Sequence, residues 1–200
     1  MNTIVLASGN KGKLREFKQM FADLPYNIKP QSEFDVGDVE ETGLTFVENA
    51  IIKARHAAQI TGMPVIADDS GIEVDALQGA PGIYSARYAG VDASDKDNLN
   101  KLLADMADEE QRSCRFQCVL VLMRHANDPT PLIAQASWEG ELLTRPAGEN
   151  GFGYDPIFWL ADKQCTSAEL SSDIKDTLSH RGQALRKLVA MLQEVPDFLS

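Results

Sequence analysis

Short apolar segments alternate along this chain with segments whose apolar residues have helical spacing. Residues 3–7 are a β-branched apolar run, a loop with two glycines follows, and Leu14, Phe17, Phe21 and Leu24 then repeat at the spacing of one helix face. A chain that alternates in this way has few ways to bury its apolar residues other than helices packed on a sheet. The sequence therefore predicts a strand, a glycine loop and a helix at its start.

The same alternation continues in the next segment. Thr45 has the features of a helix N-cap, and the apolar helical stripe that follows it stops at Gly62. Residues 64–67 are predicted to form a buried strand, with Asp68 and Asp69 at its end. A strand that delivers two adjacent carboxylates is hard to explain by solubility alone.

The remaining elements complete an α/β pattern. We expect a long ordered loop over residues 77–95, a helix over 99–106, strands over 118–123 and 132–138, a turn over 148–156 and a last helix over 185–192. No repeat, low-complexity tract or break in composition divides the chain. The prediction is one α/β domain over residues 1–200 with a mixed β-sheet.

Charge and cysteine content exclude several classes of protein. Among the 200 residues, 19 Lys and Arg stand against 30 Asp and Glu, which gives a net charge of -11. Such a surface repels polyanions, so neither nucleic acid nor a membrane is expected as a partner. Cys114, Cys118 and Cys165 are an odd set without CxxC spacing, and the N-terminus has no basic segment before its short apolar run. We expect reduced thiols and a cytoplasmic enzyme or binding protein.

The loop after the first strand is a candidate phosphate-binding site. Its residues are Ser8, Gly9, Asn10, Lys11, Gly12 and Lys13. Free backbone N–H groups and the positive end of a helix dipole favour an anion there, and lysines add charge. The loop matches neither a P-loop nor a dinucleotide-binding fingerprint. Taken alone, it is equally compatible with a glycine turn flanked by solvated lysines.

Carboxylates form a second candidate site. Six of them and no Lys or Arg lie between residues 33 and 48, and Asp68 and Asp69 follow. Mg²⁺ binds through one or two carboxylates together with substrate phosphates, and crowded carboxylates raise one pKa toward that of a general base. The alternative for Glu33, Asp35 and Asp38 is a solvated acidic loop.

Two further clusters could bind a planar base. One consists of Phe152, Gly153, Tyr154 and Asp155, in which an aromatic ring could stack and an acid could hydrogen-bond; the alternative is an aromatic packing corner. The other is Lys175 with His180 and Arg181, just ahead of the last helix, which offers donors for a carbonyl group or a phosphate. Without that context, a histidine such as His180 is more often a satisfied structural residue.

Covalent catalysis is disfavoured. The chain has no Gly-x-Ser-x-Gly motif, and no cysteine lies in a turn from strand to helix. What remains is displacement at phosphorus assisted by a metal, with carboxylates on the metal and lysines on the phosphate oxygens.

Six blocks of sequence, taken together, resemble the inosine triphosphate pyrophosphatase family. They are Ser8 to Lys13, Glu40-Glu41-Thr42-Gly43-x-Thr45-Phe46-x-Glu48-Asn49-Ala50, Ala67-Asp68-Asp69-Ser70-Gly71, Pro81-Gly82-x-Tyr84-Ser85-Ala86-Arg87-Tyr88, Gly151-Phe152-Gly153-Tyr154-Asp155-Pro156 and Ser179-His180-Arg181-Gly182. The resemblance spans nearly the whole chain in order. It implies an elongated mixed β-sheet flanked by helices, with two lobes around a central cleft, in a homodimer. It also implies a metal-dependent enzyme that cleaves ITP, dITP and XTP to the monophosphate and pyrophosphate, which removes deaminated purines from the nucleotide pool.

The resemblance assigns roles to individual residues. Ser8 to Lys13, Lys53 and Lys175 would bind the triphosphate. Asp69 and either Glu40 or Glu41 would hold Mg²⁺, for which Mn²⁺ could substitute. Asp69 would also be the base for the attacking water, supported by Asp68, so that the catalytic set is Asp69, Asp68, Lys13 and Lys53. The nucleoside pocket would be lined by Ser70, Phe152, Gly153, Tyr154, Asp155, Lys175, His180 and Arg181.

Base selectivity has a physical rationale in this assignment. Hypoxanthine and xanthine carry a 6-oxo group where adenine carries an amine, so donors from His180 and Arg181 favour them. Two alternatives remain open from the sequence. One is a related pyrophosphatase that acts on modified pyrimidine or methylated nucleotides, and the other is a module that senses a nucleotide without turning it over.

Overall fold

The computed structural model describes residues 2–199, without the side chains of Asn2 and Lys11. Its strands are β1 (Asn2–Leu6), β2 (Tyr26–Pro30), β3 (Val65–Val74), β4 (Ser113–Met123), β5 (Leu132–Leu142), β6 (Phe158–Leu160) and β7 (Cys165–Thr166). Its α-helices are α1 (Lys11–Met20), α2 (Phe46–Thr61), α3 (Asp95–Asp105), α4 (Ser172–Leu178) and α5 (His180–Glu194). Short 3₁₀ turns cover Gln31–Phe34, Asp75–Leu77, Gly82–Arg87, Asp155–Ile157 and Ser167–Glu169.

The strands form one mixed sheet in the order β2-β1-β3-β4-β5-β6-β7. β1 pairs in parallel with β2 and with β3, whereas β6 pairs antiparallel with β5 and with β7. The predicted α/β class, with a mixed sheet and flanking helices, is confirmed.

Local sequence signals set the ends of the helices that matter for the site. Asn10 caps α1, since its side-chain Oδ1 accepts hydrogen bonds from the backbone N–H groups of Gly12 and Lys13. Thr45 caps α2 by accepting from the N–H of Glu48, and α2 ends at Gly62, whose φ of 65° is natural for glycine. The caps predicted from the sequence at Thr45 and Gly62 are confirmed.

Several predicted boundaries are wrong, since β4 begins at Ser113 and not at residue 118, and β5 ends at Leu142 and not at residue 138. β3 does not stop before Asp68 and Asp69 but continues through them to Val74, because both carboxylates are paired with lysines and can stay in a buried strand. α5 begins at His180 rather than after it. The polar residues of its first turn carry no apolar periodicity, which is the signal that the prediction used.

The described residues group into two compact units, and β3, β4 and β5 contribute to both. The first unit takes its described residues from Met1–Asp69, Cys118–Ala136 and Arg181–Ser200. Its core is mainly aliphatic, but it includes Phe17 of α1 and Phe21 just after α1, packed beside Ile4 and Leu6 of β1 and against residues of α5. Burial of this core fixes the start of α1 at the end of β1.

The second unit comprises Ser70–Gln117 and Ser137–His180. Its core is rich in aromatic residues: the Phe158 ring lies 4.5 Å from that of Phe116 and 5.2 Å from that of Trp138, measured between centroids. α3 packs Leu99, Leu102 and Met106 into the same core, as predicted.

Two further findings concern residues 2–199. No helix in this range has both the length and the apolar composition required to cross a membrane. The three cysteines are free thiols; Cys114 and Cys118 are buried, and burial raises the pKa of each to about 12.

Candidate active site

The predicted phosphate loop connects β1 to α1 and is already ordered by its own hydrogen bonds. Asn10 Oδ1 lies 2.8 Å from the N of Gly12 and 3.1 Å from the N of Lys13, and Ser8 Oγ accepts from the N of Asn10. Asn10 is therefore a helix cap in this structure. The side chain of Lys11, also predicted to bind phosphate, lies outside the described residues.

Asp68 is buried between two cations of the first unit. Lys13 Nζ lies 2.9 Å from Oδ1 and 2.7 Å from Oδ2 of Asp68, and Arg181 Nε lies 3.6 Å from Oδ2. Burial alone would raise the pKa of the Asp68 carboxyl, but the charges of Lys13 and Arg181 outweigh it and hold that pKa well below its ordinary value. Asp68 therefore stays ionised and anchors Lys13 beside the loop.

Arg181 is held by two carboxylates. Besides Asp68, it contacts Glu16 of α1, with Nη1 at 3.5 Å from Oε2. Burial would lower the pKa of the Arg181 guanidinium, but the neighbouring negative charges, Asp68 first among them, raise it. These contacts give Arg181 a structural place in the first unit that the sequence did not predict.

Asp69, the next residue of β3, has a different environment. Its Oδ1 lies 2.9 Å from Lys53 Nζ, and its Oδ2 is buried with no hydrogen-bond partner among residues 2–199. Burial raises the pKa of the Asp69 carboxyl above its ordinary value, even though Lys53 opposes this. A carboxylate with a raised pKa and one unoccupied oxygen suits a general base.

Lys53 joins Asp69 to the acidic loop. Its Nζ lies 3.0 Å from Glu41 Oε1, so one ammonium group bridges the carboxylates of Glu41 and Asp69. Burial would lower the pKa of Lys53, and the charges of Asp69, Asp68 and Glu41 more than compensate and raise it. Lys53 is therefore a fixed positive charge at this position.

These residues fit Mg²⁺ through two carboxylates rather than three. Residues 2–199 contain no group of three or more His, Cys, Asp or Glu side chains placed to hold a metal. The sequence predicted Asp69 with either Glu40 or Glu41 as metal ligands; Glu41 and Asp69 meet at Lys53, whereas Glu40 is exposed on the loop. Two carboxylates, those of Glu41 and Asp69, match the way Mg²⁺ binds alongside substrate phosphates.

A cavity of about 210 Å³ lies in the first unit. Six residues predicted from the sequence line it: Ser8, Gly9, Lys13, Glu41, Lys53 and Asp68. Gln31 and His56 line it as well and were not predicted as site residues, and so does Asp38 of the acidic segment, for which a solvated loop was the alternative. The structure thus gathers Ser8 and Gly9 of the loop, both lysines, Glu41 and Asp68 around one polar space, whereas Asp69 is not among its lining residues.

In the second unit, Asp155 holds together the turn that contains Phe152. Its Oδ1 accepts from Ser167 Oγ, and its Oδ2 accepts from the N of Phe152 and from Lys175 Nζ. Gly151 has a φ of 80°, and a Cβ there would lie 2.1 Å from Asp155 Oδ2. Asp155 therefore positions Phe152 and Lys175, and the close approach requires glycine.

The two aromatic residues of this turn differ in exposure. The Phe152 side chain is exposed, with Lys175 Nζ 5.1 Å from its ring centroid. Tyr154 is buried, and its hydroxyl donates to the carbonyl of Ser85 at 2.8 Å. Phe152 can stack on a planar ligand, whereas Tyr154 is part of the packing.

The other residues predicted for the nucleoside pocket have varied surroundings. The N of Gly153 donates to Asp95 Oδ2 at 2.9 Å, and Ser70 is half-buried in β3. His180 is buried, and its ring stacks on Phe116 with centroids 4.8 Å apart and planes 14° apart. The stacking fixes the orientation of the imidazole.

A model of the Ham1 family matches residues 4–191. The chain belongs to the Ham1 family. Among named Ham1 relatives, a dITP/XTP pyrophosphatase of Vibrio cholerae is 63% identical over 196 residues, which are 97% of this chain and 98% of that protein. A dITP/XTP pyrophosphatase of Photobacterium profundum is 62% identical over 196 residues, covering 97% of this chain and all of that protein. The resemblance seen in the sequence is confirmed.

Solved structures of Ham1 proteins have the same fold. A HAM1 protein from Coxiella burnetii is 53% identical and superposes with a TM-score of 0.94 over 98% of this chain and 100% of that one. A nucleoside-triphosphatase / dITP/XTP pyrophosphatase from Mycobacterium abscessus is 38% identical, with a TM-score of 0.78 over 95% of this chain and 98% of that one. The mixed sheet with flanking helices is thus the fold of this Ham1 family member.

Sequence reasoning missed the partners that hold the predicted side chains. Glu16 contacts Arg181 from 165 residues away, and Asp95 contacts Gly153 from 58 residues away. Residues so far apart in sequence form no local pattern from which their contact could be predicted. His56 is different, because it follows Lys53 by three residues on a helix, and that spacing places both side chains on one face.

Proposed function

We propose that this Ham1 protein hydrolyses the non-standard purine nucleoside triphosphates dITP, ITP and XTP to the nucleoside monophosphate and pyrophosphate. The proposal rests on the environment of Asp69: one oxygen is bound to Lys53, the other is buried and unpartnered, and the pKa is raised. Its named relatives carry the same activity in their names.

In this proposal Asp69 is the base. Its Oδ2 takes a proton from the attacking water as the oxygen of that water bonds to phosphorus, and the anhydride bond between the α and β phosphates breaks with its electron pair leaving on pyrophosphate. Lys53 keeps Asp69 Oδ1 occupied, which directs the other oxygen toward the water.

Positive charge for the triphosphate comes from residues around the first unit's cavity. Lys13 and Lys53 would neutralise phosphate oxygens, and Ser8 and Gly9 would offer a hydroxyl and a backbone N–H. Glu41 and Asp69 would hold Mg²⁺, which supplies charge neutralisation to the phosphates when it is bound. Asp68 keeps Lys13 in place and remains ionised.

Recognition of the base is assigned to residues of the Phe152 turn and the start of α5. The exposed Phe152 ring would stack on the purine, and Lys175, His180 and Arg181 would supply donors to a 6-oxo group. Ser70, Gly153, Tyr154 and Asp155 complete the predicted set, of which Tyr154 and Asp155 act through packing and positioning. Adenine carries an amine at position 6 and would leave those donors unpaired.

A homodimer and a cytoplasmic location are further parts of the proposal, with neither nucleic acid nor membrane as a partner. The net charge of -11 supports the exclusion of polyanions. Sedimentation velocity of the purified protein tests the dimer, which a single species at the monomer mass of 21.9 kDa would reject.

A substrate panel tests the function. Pyrophosphate release with Mg²⁺ is measured from dITP, ITP, XTP, GTP, ATP and dTTP, and the nucleotide products are separated by chromatography. We expect turnover of dITP, ITP and XTP at rates well above those for ATP and dTTP. Preference for a modified pyrimidine would favour the related pyrophosphatase, and tight binding without turnover would favour a sensing module.

A further inference from the structure

We propose that Asn49 and His56 are positioning residues, which hold the acidic loop against α2 so that Glu41 and Lys53 stay in register with Asp69. The inference rests on the proposed function, because it concerns the same carboxylates and the same lysine. Neither residue has a role in that function so far.

Besides the N-cap contacts of Glu48 with Leu44 and Thr45, three contacts join the loop to α2. The pairs are Gly37 with His56, Glu41 with Lys53, and Gly43 with Asn49; we call these three contacts the loop clamp. His56 Nε2 donates to the carbonyl O of Gly37 at 3.2 Å, Lys53 Nζ lies 3.0 Å from Glu41 Oε1, and Asn49 Oδ1 accepts from the N of Gly43 at 2.9 Å.

The order of the contacts shows a regular arrangement. On α2 the three residues are spaced by four and then three positions, so they share one face of the helix. On the loop the partners run in the opposite direction, from residue 43 to residue 37. The loop therefore lies along the helix in an antiparallel sense, with the Glu41 contact between the two outer ones.

The loop needs such contacts because it has no regular structure of its own. Residues 36–45 form neither helix nor strand, and Glu40 and Asp38 on it are exposed. A segment of this kind is mobile unless side chains from an ordered element hold it. Glu41 would otherwise sample many positions relative to Asp69, which is fixed in β3.

Asn49 is poorly explained by stability alone. It is fully buried, and its Nδ2 has no hydrogen-bond partner among residues 2–199. An unsatisfied buried donor offsets much of what the hydrogen bond to Gly43 contributes. The contact is also very close, since a Cβ on Gly43 would lie 2.7 Å from Asn49 Oδ1. This geometry fits a side chain whose role is to hold the loop at Gly43.

His56 closes the other end of the loop clamp. Its partner is a carbonyl oxygen, so Nε2 must carry the proton, and the ring lines the cavity beside Lys53. Losing this contact loosens the loop on the N-terminal side of Glu41. Losing Asn49 loosens it on the C-terminal side at Gly43, where the contacts of Leu44 and Thr45 with Glu48 remain.

The test compares four variants with the wild type. His56→Ala removes the donor, His56→Gln retains an N–H donor that can reach Gly37, and Asn49→Ala removes the other outer contact. Gln59→Ala, at an exposed position of α2, is the matched control. Three quantities are measured: kcat and KM for dITP, the dissociation constant for Mn²⁺ on nucleotide-free protein by electron paramagnetic resonance, and Tm.

We expect His56→Ala and Asn49→Ala each to lower kcat and to weaken Mn²⁺ binding by about tenfold, the usual effect of losing a residue that orients a metal ligand. KM should change less than kcat, His56→Gln should recover both values, and Gln59→Ala should match the wild type. If Asn49→Ala does not fold, the comparison of His56→Ala with His56→Gln still tests the inference.

The inference is overturned if His56→Ala retains the wild-type kcat and Mn²⁺ affinity, or if kcat falls only in proportion to the folded fraction seen by Tm. Different results would reject the proposed function and the loop clamp. A wild type that releases no pyrophosphate from dITP rejects the proposed function, whereas the Mn²⁺ measurement still reports on the loop clamp.

Discussion

The ammonium of Lys53 lies 2.9 Å from Oδ1 of Asp69, and the second carboxylate oxygen of Asp69 is buried without a hydrogen-bond partner among residues 2–199. The two oxygens of one carboxylate thus have opposite environments. Lys53 fixes the orientation of the group, and burial raises its pKa. Asp68 Oδ2 also has no hydrogen-bond partner among residues 2–199, but it lies 2.7 Å from Lys13 Nζ and 3.6 Å from Arg181 Nε, and these charges lower the pKa of Asp68. The raised pKa of Asp69, together with its unpartnered Oδ2, makes Asp69 the candidate base.

The first prediction concerns Asp69→Asn. The amide cannot accept the proton of water, so kcat for dITP should fall by about 10²- to 10⁴-fold, the contribution typical of a general base. Nucleotide should still bind, which isothermal titration with dITP measures. Asp162→Asn, at an exposed position, is the control. Full activity in Asp69→Asn would remove Asp69 from the mechanism.

Asp68 is predicted to act mainly through stability. Asp68→Asn leaves Lys13 and Arg181 close together without their shared carboxylate, and losing one partner of a buried ion pair costs about 3 to 5 kcal/mol. The free energy of unfolding by urea should fall by an amount in this range. A change under about 1 kcal/mol would show that the cations are solvated and not held by Asp68.

Gly151→Ala tests the turn that carries Phe152. The new Cβ would meet Asp155 Oδ2 at 2.1 Å, so the turn must open and Phe152 and Lys175 must move. We expect KM for dITP to rise at least tenfold. Gly79→Ala is a matched control, because φ there is also positive, at 90°, but nothing lies within 4 Å of its Cβ. Equal KM values in both variants would contradict the positioning role of Asp155.

Phe152→Ala removes an exposed ring without disturbing the core. Stacking of a base on an aromatic side chain is worth about 1 to 3 kcal/mol, so KM for dITP should rise by about 5- to 150-fold with little change in Tm. Val91→Ala, another exposed apolar position of the second unit, should leave KM unchanged. An unaltered KM in Phe152→Ala would show that the purine base does not stack on Phe152.

Acid stability should depend on Asp128, far from these residues in sequence. Its buried carboxylate accepts hydrogen bonds from Arg124 and from the N of Thr130, and the bonds from Arg124 above all lower the pKa of Asp128. A carboxyl with a depressed pKa stabilises the fold above its unfolded pKa of about 3.9, and this contribution is lost as pH falls through the folded pKa. Asp128→Asn should therefore flatten the fall in unfolding free energy below about pH 4. An unchanged pH profile would reject this.

The sequence predicts most of the elements but not the pairings within the site. The helix over Phe46–Thr61 and its caps were readable because Thr45 and Gly62 are local signals. β6 and β7 were missed because they have three and two residues, too few to show a period. β2 is as long as β1 but lacks its continuous apolar run, and the short helix α4 was not predicted either. The full length of β3 was unreadable as well, since Asp68 and Asp69 are tolerated in a strand only because Lys13 and Lys53 reach them.

The candidate site shows the same division. Motifs identified Asp69, Lys53 and Glu41 as functional, and the structure brings them together. Their separate roles came from surroundings that no motif carries: two cations around Asp68, one around Asp69, and full exposure of Glu40. Long-range contacts distinguish the candidate base from the carboxylate next to it.

The stoichiometry of dITP turnover tests the central claim most directly. Wild-type protein with Mg²⁺ is followed to completion while dIMP, pyrophosphate and orthophosphate are quantified together. The account predicts one dIMP and one pyrophosphate for each dITP consumed, with no orthophosphate. Release of orthophosphate with accumulation of dIDP would contradict it.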